Sequence, residues 1–323
     1  MKIGIISFAH GHAYSYAEAL NNRPNVELAG VFDEDASRGK NAAEQFGAIY
    51  YDRLDALLET DVTAVIVTSE NAKHLEHVSE AAKAKKHILC EKPMATSVED
   101  AEKMIEVCRE NEVILQIAFP VRFSTPVLRA KELIAAGELG DLLAVKATNR
   151  GTNPGGWFIQ PELSGGGAVL DHTVHVVDLL RWFMGEEVNE VYAEIGTHFT
   201  TEAIDDSGIL SMSFTNGVSA TLDCSWSRND AYPTWGDVTL EIVGTKGTLS
   251  VHAFDQKIDV YSNRDGVNWE FWGDDMDESL VADFLEAVQD EREPFITGRD
   301  GLKALEVALA AYQSAADKAT VRY

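Results

Sequence analysis

Asp171, His175 and Asp178 fall at i, i+4 and i+7 of a stretch that reads as a helix over residues 168–184. On a helix those positions share one face. A carboxylate and an imidazole on adjacent turns make an acid/base pair, because imidazole titrates near neutrality. Val174, Val177 and Leu180 run beside them as an apolar stripe. Gly165-Gly166-Gly167 precedes the helix, and three glycines leave a backbone that a ligand can approach closely. Asp171, His172 and His175 are also metal-ligand types. No HExxH spacing or cysteine partner accompanies them, so no metal site is expected. A plainer reading has Asp171 only complementing the helix dipole, which three adjacent glycines fit poorly.

Lys92 is the second candidate. It lies in Glu91-Lys92-Pro93, directly after a strand-like run over residues 87–90. A partly desolvated ammonium has a lowered pKa and exchanges protons with a substrate hydroxyl. Pro93 restricts the following turn, and an X-Pro bond is where a cis peptide occurs. Taken alone, a strand-end lysine is an ordinary surface charge.

The turn Ser7-Phe8-Ala9-His10-Gly11-His12 joins the first strand to the first helix. A dinucleotide fingerprint places glycines there so that the pyrophosphate can meet the backbone. Here Ser7, Ala9 and His12 occupy the three glycine positions. A helix N-terminus still attracts phosphate, and His10 and His12 add donors. The alternative is an ordinary turn with two surface histidines. The second strand ends in Asp33, where an acid accepts hydrogen bonds from the adenosine ribose and repels a 2′-phosphate. That favours NAD, with NADP kept open by the nearby Arg38. Asp33 is otherwise a solvated acid or a helix cap.

Elements must hold these groups in place. Residues 2–7, 26–32, 63–68, 87–90 and 113–119 read as strands, and residues 13–21, 36–46, 71–85 and 98–110 as helices. Strand–helix alternation with short links predicts a doubly wound parallel sheet over residues 1–120. Chemistry is then expected at the C-terminal strand ends, after Ser7, Phe32, Thr68, Cys90 and Ala118. Residues 209–214 and 218–227 alternate with period two around Asn216-Gly217, predicting a hairpin with a two-residue turn. A second hairpin is expected at Gly244-Thr245-Lys246-Gly247, and helices at residues 277–289 and 301–316. Residues 121–323 thus read as a second α/β domain on a mostly antiparallel sheet.

Composition narrows the partners. With 27 basic and 53 acidic residues the net charge is −26, which argues against nucleic acid and anionic membranes. No apolar run reaches the roughly 18 residues of a span, and the N-terminus lacks signal-peptide features. Cys90, Cys108 and Cys224 are scattered, without metal-ligand spacing, as expected in a reducing cytoplasm.

Glu91-Lys92-Pro93 with the preceding Lys86-His87-Ile88-Leu89-Cys90, and Asn71-Ala72-Lys73-His74, occur in one chain with the glycine-led run from Gly165 to His175. Asp178-Leu179-Leu180-Arg181-Trp182, Gly244-Thr245-Lys246-Gly247-Thr248 and Ala310-Ala311-Tyr312-Gln313-Ser314-Ala315 follow. Together these resemble the family of glucose–fructose oxidoreductase and myo-inositol dehydrogenase, the Gfo/Idh/MocA family. The resemblance implies a Rossmann domain and a C-terminal domain with an open-faced sheet that makes homodimer or homotetramer contacts.

It also implies roles. Lys92, Asp171 and His175 resemble the catalytic set, with His175 as acid/base, Lys92 polarising the reacting oxygen and Asp171 orienting substrate or imidazole. The cofactor, NAD or NADP, is expected over Phe8, Ala9, His10, Gly11, His12, Asp33, Arg38, Thr68, Ser69, Asn71, His74, Glu91 and Lys92. Arg122, Asn149, Trp157 and His172 are expected in the pocket for a sugar, inositol or related polyol. Most relatives carry glycine where Ser7 and Ala9 stand, and often proline at Ser69, so the turn must hold pyrophosphate differently. A sensing or scaffolding protein on the same fold is the alternative from another class, and a lyase or hydrolase using NAD transiently is a third. A sensor needs no acid/base set.

Overall fold

A computed structural model describes residues 1–234, 236–264 and 266–323. The chain divides into two compact units. The first comprises Met1–Pro120, Glu162–Gly165 and Asp277–Leu302; the second comprises Val121–Pro161, Gly166–Met276 and Lys303–Tyr323.

In the first unit the elements run β1 (Lys2–Ile6), α1 (His12–Asn21), β2 (Glu27–Phe32), α2 (Ala36–Phe46), β3 (Ile49–Tyr51), α3 (Leu54–Leu58), β4 (Ala64–Val67), α4 (His74–Lys83), β5 (His87–Glu91), α5 (Val98–Glu110) and β6 (Leu115–Ala118). The strands form one parallel sheet in the order β3-β2-β1-β4-β5-β6. Strand order reverses across β1 and β4, the switch point where such sheets bind ligands. Ala64, Val65, Ile66 and Val67 are fully buried, as a strand covered on both faces requires. Residues 277–302 complete this unit: Ile117 N–H donates to Ile296 O at 3.3 Å. Gly298 and Gly301 lie so close to Ile105 and Ile117 that an added Cβ would stand 2.9 and 2.8 Å from them.

The second unit carries α6 (Thr125–Ala135), β7 (Leu142–Gly151), the single turn α7 (Pro161–Ser164, completed in the first unit from Glu162), α8 (Ala168–Met184), β8 (Val188–Gly196), β9 (Ser207–Phe214), β10 (Ser219–Asp223), β11 (Gly236–Gly244), β12 (Thr248–His252), the hairpin β13 (Lys257–Ser262) and β14 (Gly266–Phe271), and β15 (Val321–Arg322). Two helices, α9 (Met276–Asp290) and α10 (Gly298–Asp317), have residues in both units. The seven-stranded sheet runs β12-β11-β7-β10-β9-β8-β15. It is antiparallel throughout except for the β7–β10 pair. The period-two reading holds over β10, where Ala220 and Leu222 are buried while Ser219 and Thr221 are exposed, but the strand ends at Asp223 rather than near residue 227, and Cys224, Ser225 and Trp226 are all buried. Helix α8 packs on this sheet against β7 and β9.

The β9–β10 turn departs from expectation. Ser213 pairs with Ser219 and Phe214 N–H donates to Val218 O, so the loop has three residues. Only Gly217 is left-handed, at φ 86°. A single left-handed glycine closing a three-residue loop replaces the two positive φ angles of a type I′ turn.

Candidate active site

Two groups of candidate residues emerge, one in each unit. In the first, β1 delivers the chain into a turn that opens with Ser7 at φ 72°. That left-handed conformation is the one glycine adopts freely, so the turn keeps the backbone path of a glycine fingerprint without the glycine. Hydrogen bonds hold the strained serine: Ser7 N–H donates to Phe32 O at 2.6 Å, Thr68 Oγ1 donates to Ser7 O at 2.6 Å, and Ala9 N–H donates to Ser7 Oγ at 3.1 Å. His10 N–H donates to Thr68 O at 3.0 Å, tying the turn to the end of β4.

Most donors of this turn are already used. Phe8 N–H donates to Asp33 Oδ2 at 2.7 Å, and His12 N–H donates to His10 Nδ1 at 3.2 Å. Gly11 is different. It begins α1 without a side-chain cap, and an added Cβ there would meet nothing within 4 Å. The start of α1 is thus an open cradle at the positive end of a helix, which suits a diphosphate.

His10 is buried and His12 has one third of its side chain exposed, which corrects the reading of two surface histidines. Both surround the buried Glu91 at the end of β5. His12 Nδ1 lies 2.9 Å from Glu91 Oε1, His10 Nδ1 4.0 Å from the same oxygen, and Tyr16 donates to it at 2.6 Å. Glu91 Oε2 accepts from Lys92 N–H at 2.9 Å. Burial pushes the Glu91 carboxyl up, but the charges of His10 and His12 outweigh it and hold its pKa well below the usual range. Burial likewise opposes the imidazolium of His12, yet Glu91 raises its pKa above the ordinary value. Tyr16, four residues after His12 on the same helix face, was missed in the sequence; the i, i+4 spacing was the available signal.

Lys92 is buried, and its bond to Pro93 is cis. The buried His74 fixes this turn: its two ring nitrogens lie 3.1 Å from Pro93 O and Ser69 O. His74 is therefore a brace between the ends of β4 and β5 rather than a group presented to a ligand. Asn71 Nδ2 donates to Ser164 O at 2.8 Å.

Asp33 is buried rather than solvated, and its carboxylate is already engaged. Its buried carboxylate accepts from Phe8 N–H, from Asp35 N–H at 2.8 Å, and from Arg38 Nε and Nη2, both at 2.8 Å. The cap of α2 is Asp35, which accepts from Ser37 and Arg38 N–H. Arg38 thus lies bidentate across the acid on which the preference for NAD rested.

In the second unit, Asp171 and His175 occupy successive turns of α8, as the spacing predicts. Trp226 Nε1 donates to Asp171 Oδ2 at 3.3 Å, and His172 Nε2 lies 3.4 Å from the same oxygen. The other ring nitrogen of His172 donates to Cys224 O at 3.1 Å. His172 therefore braces Asp171 from the β10 side. Trp226 was not anticipated; it closes the inward-facing run from Val218 and uses its indole N–H as a polar handle. Its ring packs with Ala168 and Ile204, against Phe158 and Ile159. Trp157 stacks on Phe158 at 3.9 Å.

The glycines ahead of α8 serve packing. A Cβ on Gly167 would stand 1.9 Å from Asp205 O, and one on Gly166 2.5 Å from Tyr312 Oη. Asp205 accepts from Gly167 N–H and Val169 N–H, both at 2.9 Å, and Tyr312 Oη accepts from Gly167 and Leu170 N–H. These caps take the donors that a ligand was expected to meet. Arg122 is also corrected: its guanidinium is buried and bidentate on Asp178 at 2.7 and 2.6 Å. Asn149 is buried in β7, donating to Asp237 O at 3.1 Å.

The chain is similar to known proteins over its whole length. Residues 1–119 match the oxidoreductase family with an NAD-binding Rossmann fold, and residues 127–250 match the GFO/IDH/MocA C-terminal domain. The chain belongs to the Gfo/Idh/MocA family of oxidoreductases. A relative named D-xylose 1-dehydrogenase (NADP(+)) from Haloarcula marismortui is 30% identical, with 85% of this chain and 79% of the relative covered. One named myo-inositol 2-dehydrogenase from Thermotoga maritima is 29% identical, covering 100% and 98%. The crystal structure of GenD2 from gentamicin A biosynthesis in complex with NAD superposes with a TM-score of 0.91 at 27% identity, covering 100% of this chain and 96% of that one. The first unit is the family's NAD-binding Rossmann domain, and the enzyme reading prevails over the sensor.

Proposed function

We propose that this oxidoreductase moves a hydride between NAD(P) and a hydroxyl-bearing carbon of a sugar, inositol or related polyol. The braced acid–base pair on α8 carries the reading, in a chain whose other half is an NAD-binding domain. When bound, the nicotinamide supplies the redox chemistry. The protein's part is to hold the cofactor, orient the hydroxyl and move its proton.

For the cofactor, the start of α1 at Gly11 receives the diphosphate, with His10 and His12 replacing donors that the turn has already used. Arg38 and Asp33 face the adenosine ribose as a neutral pair, so NADP is accepted as well as NAD. For the substrate, His175 accepts the hydroxyl proton, and Lys92 polarises the oxygen that loses it. Asp171, held by Trp226 and His172, fixes the orientation of the imidazole or the substrate. Asn149 and Trp157 contribute to the sugar pocket.

Two coarser features complete the proposal. Ile209 and Val243 stand exposed among Ser211, Ser219 and Thr221 on the uncovered face of the second unit's sheet, a surface suited to pairing copies of the chain as a dimer or tetramer. Three buried thiols fit a reducing cytoplasm, and no described helix is long and apolar enough to cross a membrane. The function is tested by a panel of aldoses, inositols and other polyols with NAD and with NADP, followed by reduced-nicotinamide absorbance. A member of the panel should be oxidised with accumulation of reduced cofactor; a full panel without turnover, despite cofactor binding, refutes it.

A further inference from the structure

We infer that His10, His12 and Glu91 form a site for one divalent transition-metal ion in the dinucleotide-free protein. Among the described residues they are the group of histidine, cysteine and carboxylate side chains whose ligand atoms come together, all within 4.8 Å of one another. Two histidines spaced i, i+2 and a carboxylate offer an N2O set. Such a set selects borderline ions, zinc, cobalt or nickel, over magnesium or calcium.

The surroundings favour a cation. Glu91 is completely buried and its charge needs a counter-charge. Asp277, whose side chain accepts from Ser15 Oγ at 2.7 Å, adds to the field that stabilises positive charge on His12, and Lys92 opposes it. Tyr16 Oη at 2.6 Å from Glu91 Oε1 is an outer-shell donor that fixes the carboxylate. His12, with one third of its side chain exposed, leaves an entry path. His12 Nδ1 and Glu91 Oε1, 2.9 Å apart, share a proton at the position that the metal ion would take. Zinc–nitrogen and zinc–oxygen bonds of roughly 2.0–2.2 Å at tetrahedral angles set ligand atoms about 3.4 Å apart, so His12 Nδ1 and Glu91 Oε1 must part slightly from 2.9 Å, and His10 Nδ1 must approach from 4.0 Å and give up the bond it accepts from His12 N–H.

The site goes beyond the proposed function and does not depend on it, because it is assayed without dinucleotide or substrate. Purified full-length chain, stripped with chelator, is titrated with zinc by calorimetry and with cobalt by visible absorption. The expected result is one equivalent bound, with tetrahedral cobalt bands. His12→Asn and His10→Asn should each weaken zinc at least about 10-fold, the loss known for perturbing even an outer-shell partner. The partly exposed His12→Asn keeps the test valid if the buried change unfolds the chain, which circular dichroism monitors. Absence of stoichiometric zinc binding, or equal affinity in parent and His12→Asn, overturns the site. Failure to bind NAD(P) would instead strike the proposed function and leave this titration unaffected.

Discussion

Replacing Arg38 by alanine should lower affinity for NADP(H) relative to NAD(H). In the folded protein Arg38 Nε and Nη2 each lie 2.8 Å from an Asp33 oxygen. The side chain is 28% exposed against a fully buried Asp33 carboxylate, so the guanidinium has a solvent-side face to offer a 2′-phosphate. Its loss removes that partner and leaves an unneutralised buried anion. A hydrogen bond to a charged group is worth about 1.5–3 kcal/mol, so NADP(H) affinity should fall about 10- to 100-fold. NAD(H) should change by less than about 3-fold, because Asp33 keeps Phe8 and Asp35 N–H as donors and gains room for ribose hydroxyls. Dissociation constants for NADH and NADPH, read by nicotinamide fluorescence at fixed salt, give the ratio directly. An unchanged ratio in a variant that melts as a folded protein would refute the placement of Asp33 and Arg38 at the ribose.

Trp226→Phe keeps the packing with Ala168 and Ile204 but removes the indole donor to Asp171, and kcat/KM should fall about 10-fold at the lower end of a charge-assisted hydrogen bond. Steady-state kinetics with no change would detach Trp226 from the chemistry. His77 supplies a stability test. Burial lowers its pKa from 6.5 to about 4, so the unfolded chain binds a proton between those values that the folded chain does not. Stability is therefore fully present above about pH 6.5 and is lost as pH falls toward 4, by roughly 3 kcal/mol. Urea unfolding from pH 4.5 to 7 should show this slope in the parent and a shallower one in His77→Gln.

Much of the first unit was legible because its signals are local. Buried runs such as 64–67 and capped helices such as Ala36–Phe46 carry their pattern within a few residues. Strand β3 has three residues, too few for any period to register. Strand β7 was missed because its inward positions include Ala147 and Asn149, which blur the contrast between apolar and polar faces. The candidate groups were legible as residue types but not as contacts. Asp33 looked available until Arg38, Phe8 and Asp35 were found around it. Gly166 and Gly167 looked like a ligand cradle, yet Tyr312 and Asp205, distant in sequence, fill that space. Ser7 looked like a lost glycine but keeps glycine's backbone conformation, which depends on Thr68 and Phe32 rather than on its neighbours. Such long-range partners leave no periodic trace in the chain.

The role of Lys92 is tested most directly by Lys92→Met, assayed on the best substrate of the sugar and polyol panel alongside NAD(H) binding. Proton transfer by a positioned side chain contributes about 10²- to 10⁴-fold, so kcat should fall by that order while the dissociation constant for NAD(H) stays within about threefold. A variant that turns over as fast as the parent, or one that loses cofactor affinity in proportion to kcat, would contradict the assignment of Lys92 to chemistry.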